Sequence, residues 1–173
     1  MKSVLQWIEG HPGTAAWVQA IGAILALAVA IFVPVWMARK ADHLSRRRFL
    51  ESVSAIANEA HACFLFAAAR CNAGAAEGLL FVTSVNAFHR FRILSSAINA
   101  IPLHQLPTYE VTKSVLELQA MMAEGLMQLD AAFKEVEAHQ QLVQAAAFGY
   151  AFDLLTERSR PERDCILKAS EAT

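Results

Sequence analysis

From Thr14 to Ala38 the chain carries no charged side chain, a run of 25 residues. About 20 apolar residues are enough to cross the hydrocarbon core of a bilayer. A soluble helix this apolar on every face would need a core all around it, which a chain of 173 residues cannot readily supply beside its other elements. The run therefore predicts one transmembrane helix over 14–38. Trp17 and Trp36 lie near its two ends, where an indole keeps its N–H among headgroups. Lys2 is the only basic residue before the run, whereas Arg39, Lys40, Arg46, Arg47 and Arg48 follow it. The positive-inside rule then places the C-terminal side in the cytoplasm and a short tail, 1–13, outside. A cleaved signal peptide has the opposite order, with positive charge before the apolar region and a small-residue site after it. The run thus reads as an uncleaved anchor.

Within the span Gly22, Ala26 and Ala30 recur every fourth residue. Small residues at that spacing let two helix backbones approach closely in lipid, so this face is the candidate for helix association. Pro34 lacks an N–H and predicts a kink near the inner end. Val4, Leu5, Trp7 and Ile8 in the outer tail are consistent with one amphipathic turn lying in the interface.

Beyond the basic cluster the apolar period becomes helical. Phe49, Val53, Ile56, Ala60, Cys63 and Ala67 alternate steps of four and three, and Asn72-Ala73-Gly74 predicts the end of that helix. It runs on from the span with little or no break. A second helix is expected from Glu77 to Ile101, with its face at Leu80, Ser84, Ala87, Phe91, Leu94, Ile98 and Ile101. Pro102 and Pro107 bracket a connection, and Thr108 is a suitable N-cap. The third face reads Val111, Val115, Leu118, Met122, Leu126, Leu129, Phe133 and Val136, an average spacing of about 3.5 as in coiled coils and helical bundles. Past Val136 the pattern loosens, then resumes at Leu142, Val143, Ala146, Ala147, Tyr150 and Leu154. Either one long helix continues to about Arg158, or the chain turns near 138–141 and folds back. The fold-back is favoured because so apolar a stripe needs cover. Pro161 is expected to begin a short terminal helix or a loose tail over 161–173. The expected fold is all-α: the span, then an antiparallel, coiled-coil-like bundle of three to four helices over 39–160. A turn at Gly74 pairs positions whose numbers sum to about 149, which predicts an interhelical ion pair between Glu59 and Arg90.

The polar residues do not assemble a catalytic set. Cys63, Cys71 and Cys165 do not form a disulfide framework. Cys63 and Cys71, eight positions apart on one helix, lie roughly 12 Å from each other along its axis, too far to bridge. No Glu-x-x-His of the di-iron bundles occurs among the six histidines. Glu135 and His139 share a face and read as an ordinary helix pair, and His61-Ala-Cys63 reads as core packing rather than as a zinc site. Glycine loops for nucleotides and the nucleophile elbow are missing, so no metal or cofactor is expected and an enzymatic role loses its main support. A net charge of −1 argues against a nucleic-acid partner. The basic cluster reads as topological, with attraction to anionic headgroups, and His89-Arg90-Phe91-Arg92 as alternation between surface and core.

The opening stretch Trp7-Ile-Glu-Gly-His-Pro-Gly-Thr-Ala-Ala-Trp-Val-Gln-Ala-Ile-Gly22 resembles the start of many small, mostly uncharacterised bacterial and prophage-encoded single-pass membrane proteins. In those, such a stretch leads one span into a helical domain. The resemblance covers about residues 7–40 and implies a bacterial inner-membrane protein, with no activity and no site residues attached. Two functions follow as expectations. The first is a membrane-anchored interaction or scaffold module that self-associates or binds a cytoplasmic protein. The second is a membrane-perturbing effector of defence or toxin type, acting by clustering of its span.

Overall fold

The computed structural model describes residues 12–137 and 145–172. Five α-helices and one 3-10 turn account for nearly all of them: α1 (Pro12–Asn72), α2 (Ala75–Val82), α3 (Val85–Asn99), the 3-10 turn (Leu103–Gln105), α4 (Tyr109–Glu137) and α5 (Ala145–Glu171). No strand occurs among the described residues. The chain forms two units, Met1–Ser45 and Arg46–Thr173, and α1 contributes to both.

In the first unit, α1 opens at Pro12, whose missing N–H costs nothing at the first helical position. The helix continues through Pro34. It is long and apolar enough to cross a membrane, and none of its most apolar stretch is buried against protein.

The second unit closes a core. Along α1, Val53, Ala57, Ala60, Phe64, Ala67 and Cys71 are buried at helical spacing, while Glu51, Glu59 and Arg70 stay outside. Phenylalanine rings tie the helices together. Phe91 of α3 lies 5.9 Å from Phe64 of α1 and 5.8 Å from Phe152 of α5, and Phe152 also meets Phe81 of α2 edge-on at 6.4 Å. Such tilted and edge-to-face pairs add to plain area burial. Gly125 lets α4 approach these rings: a methyl group there would sit 2.8 Å from the Phe91 ring and 3.2 Å from Phe64.

α1 ends where Gly74 adopts φ +138°, a backbone region closed to side chains with a Cβ. α4 begins as its cap predicts, the Val111 N–H donating to Thr108 Oγ1 at 3.3 Å. Gln119 of α4 donates from Nε2 to the carbonyl of Ile98 at 3.1 Å, satisfying one last-turn acceptor of α3.

The structure corrects the sequence reading in two places and decides between the two alternatives weighed at a third. The single helix expected over Glu77–Ile101 is two, parted at Thr83–Ser84. Thr83 Oγ1 donates back to the Leu79 carbonyl at 2.8 Å, and Ser84 is extended at φ −74°, ψ 119°. The break turns Phe81 and Val82 inward and leaves Leu80, expected on the buried face, exposed. Second, Pro161 lies inside α5, which runs to Glu171, so neither a loose tail nor a fresh helix begins there. Fully buried Leu155, Ser159 and Ile166 grip the helix on both sides of it. Pro161 and Glu157 are both exposed, so the carbonyl deprived of its amide partner lies on the water side. Third, one continuous helix from 108 to 158 is excluded, because Arg158 of α5 reaches back to Glu124 of α4 at 3.0 Å. Residues 138–144, among them His139 and the expected turn near 138–141, lie outside the described residues, as does the tail carrying Val4 to Ile8.

Candidate functional site

Three places in the molecule gather residues with functional potential. On the first unit, Trp17 and Trp36 are 72% and 64% exposed, and Gly22, Ala26 and Ala30 are exposed on the same helix. Open space surrounds Gly22. Lys40 places its ammonium 5.4 Å from the Trp36 ring centre, a cation–π contact beside the basic cluster. Arg39 is exposed there as well, and at the start of the second unit Arg46, Arg47 and Arg48 are exposed, with Arg47 paired to Glu51 at 3.0 Å.

The second place is a cleft within the second unit, of about 410 Å³, bounded by α1, α2 and α3. Buried Cys63, Phe81, Ala87 and Phe91 line it together with exposed Phe66 and Leu80, and Ser84 and Asn86 add polar side chains. Its rim is ionic. Arg90 Nη2 lies 2.5 Å from Glu59 Oε1, so the structure brings together the two residues paired by the turn at Gly74. Arg70 Nη1 lies 2.6 Å from Glu77 Oε2. Both guanidinium groups also stand over the Phe66 ring, at 5.2 and 5.8 Å from its centre. The hydrogen bond that Arg90 donates to the Glu59 carboxylate holds its guanidinium above its ordinary pKa. Burial pushes the Cys63 thiol up to about 12, against the opposing pull of Arg90. Burial, with Asp153 adding to it, takes Cys71 to about 11. Burial thus disfavours the thiolate at both cysteines, of which only Cys63 lines the cleft.

The third place is a buried polar contact between α1 and α5. His61 Nδ1 lies 2.8 Å from Ser159 Oγ, and Ser159 donates its own proton to the Thr156 carbonyl at 3.0 Å. With the serine proton on the Thr156 carbonyl, the imidazole tautomer that matches is the one protonated on Nδ1. A serine whose proton is spent on a backbone carbonyl is not poised as a nucleophile, which makes this a packing contact. Burial first, then the charges of Arg163 and Arg160, hold His61 below its usual 6.5, while Asp164 opposes them. No cluster of three metal-ligating side chains occurs among the described residues.

Periodicity alone missed Phe66, Arg70, Glu77 and Leu80 as a group. A signal for them exists in Leu79-Leu80-Phe81-Val82, since four consecutive apolar residues cannot all face one side of a helix. Compared with protein-family models, curated proteins and solved structures, the chain matches none.

Proposed function

We propose that this chain is a membrane-anchored helical interaction module. Its span over 14–38 crosses a bacterial inner membrane with the N-terminus outside, and its C-terminal helices form an antiparallel bundle in the cytoplasm. That bundle associates with itself or binds a cytoplasmic protein. One observation carries the reading: the most apolar stretch of α1 is wholly unburied, whereas a soluble core helix of that composition would be covered. The basic residues on its C-terminal side support the orientation. Antiparallel packing is supported by the order of contacts between α1 and α5, where His61 meets Ser159 and Asn72 meets Asp153.

The test is in-cell crosslinking with proximity capture of the full-length protein, combined with reporter fusions at both termini. Extraction with alkaline carbonate would remove the anchor reading, and a reporter placing the C-terminus outside would remove the orientation. Self-crosslinks lost in a Gly22→Leu/Ala26→Leu variant would assign assembly to the span. Crosslinks unchanged by that variant would make the span a simple tether and the helices the working surface.

A further inference from the structure

We propose that Arg39 and Lys40, beside Trp36, form a site for the phosphate of an anionic phospholipid in the leaflet on the C-terminal side of the span. The inference rests on the membrane-anchor reading and deepens it. It names a lipid class, and it assigns the contact to two residues of the basic cluster rather than to the cluster as a whole.

Helix geometry sets the site. Residues three, four and seven apart share a helix face, so Trp36, Arg39, Lys40 and His43 lie on one side of α1. All four are exposed. Lys40 holds its ammonium 5.4 Å from the centre of the Trp36 ring, and an indole settles at the level of the headgroups. The headgroup layer is roughly 5–8 Å deep on each side of the hydrocarbon. At about 1.5 Å of rise per residue, it takes in about three to five residues of helix past Trp36. Arg39 and Lys40 fall within that distance, and His43 stands at its outer margin. Arg46, Arg47 and Arg48 belong to the second unit and are not part of the site.

Charge selects the occupant. Arg47, Arg70 and Arg90 are each paired with a glutamate, whereas neither Arg39 nor Lys40 has a carboxylate partner among the described residues. Asp42 is the only acidic residue between Pro12 and Leu50. Two uncompensated cations one residue apart call for an anion that already lies at headgroup depth. The guanidinium group can present paired N–H donors to phosphate oxygens, and the ammonium adds a point charge. A zwitterionic lipid brings its own cation to its phosphate and gains less from the site than an anionic one. A free phosphate offers the same oxygens but has no acyl chain to lie against exposed Val33, Trp36 and Met37.

The experiment places the full-length protein in bilayer nanodiscs of phosphatidylcholine and phosphatidylglycerol in equal amounts. Native mass spectrometry then counts the lipids that stay bound when the disc is dispersed. The expected result is phosphatidylglycerol retained in preference to phosphatidylcholine, with that preference reduced at least about fivefold in Arg39→Gln/Lys40→Gln. The control Arg46→Gln/Arg48→Gln should keep it within about twofold, because cations beyond the headgroup layer act only through a screened field. All four positions are exposed, so both variants keep their helical content, and far-UV circular dichroism checks that. No preference in the unchanged protein, or a preference unaltered by the first variant, overturns the inference. An equal loss in the control overturns it as well, in favour of a diffuse basic surface. Displacement of the lipid by inorganic phosphate would make this a free-anion site and overturn the lipid assignment. A protein that alkaline carbonate leaves in the membrane keeps its anchor through any of these failures, whereas one that is extracted loses the anchor and this inference together.

Discussion

The two ends of α1 share one secondary structure and use their apolar side chains in opposite ways. Between Trp17 and Met37 valine, isoleucine, leucine and phenylalanine are exposed on every side of the helix, with no polar face to balance them. Between Leu50 and Cys71 most of the apolar residues fall on one buried stripe, Leu65 and Phe66 being left exposed, and charged residues hold the other side. The contrast shows that apolar content alone does not make a core. A stripe with a polar back can be covered by neighbouring helices. An all-round apolar surface can be satisfied only by an apolar solvent or by other apolar helices.

The largest expected effect separates the two ends cleanly. Phe152→Ala removes a ring that is fully buried and touches both Phe81 and Phe91, and should cost the second unit about 3–5 kcal/mol in denaturant unfolding of the micelle-held protein. Phe32→Ala, at a residue 73% exposed, should change that unfolding by less than about 0.5 kcal/mol. A comparable loss at Phe32 would mean that the span is packed against protein.

Glycine gives a second, smaller contrast. Gly125→Ala drives a methyl group to 2.8 Å from the Phe91 ring. Overpacking of about 1–3 kcal/mol should outweigh a helix-propensity gain of up to about 1 kcal/mol, leaving a net loss near 1 kcal/mol. Gly22→Ala meets nothing within 4 Å and should leave the second unit's melting unchanged. A stabilised Gly125→Ala protein would refute the close approach of α4 to the rings.

Acid should act on the second unit through His61. Its folded pKa lies below 6.5, so the unfolded chain takes up the proton first as pH falls. Stability is therefore intact above 6.5, declines as pH drops from there towards the folded value, and levels off below it. His61→Gln keeps a donor towards Ser159 and removes the titration. Melting temperatures at about pH 7.5 and about pH 5.5 should fall further apart in the unchanged protein than in the variant. Equal differences in the two would show that His61 does not contribute to acid sensitivity.

The smallest effect is expected at the rim of the cleft. Glu59 and Arg90 are each about half exposed, and a double-mutant cycle should give an attractive coupling between 0 and about 1 kcal/mol. A repulsive coupling would place the two side chains in another register.

Much of the helical layout was legible because it is written in local rules. The face from Val53 to Ala67, the turn at Gly74, the cap at Thr108 and the stripe from Val111 to Leu129 each follow from periodicity or backbone chemistry within a few residues. The pairing of Glu59 with Arg90 was reached from one turn and two helical rises, and it survives the break at Thr83–Ser84 that interrupts the second rise. Where local rules misled, a distant contact prevailed. Pro161 signals a helix start, yet α5 passes through it because Leu155, Ser159 and Ile166 are held by other helices. Helical spacing carried Leu80 into the core, but the break at Thr83–Ser84 gave that place to Phe81 and Val82.

By itself the sequence determined that one stretch is long and apolar enough to cross a membrane, and that the rest of the chain forms striped helices. Both properties are summed along the chain and need no knowledge of neighbours. Tertiary structure alone decided that Phe81, Phe91 and Phe152 share one cluster, that His61 meets Ser159, and that a cleft opens beside Phe66. A cavity is the space left between elements once they have packed, and its shape depends on distances that no single segment encodes.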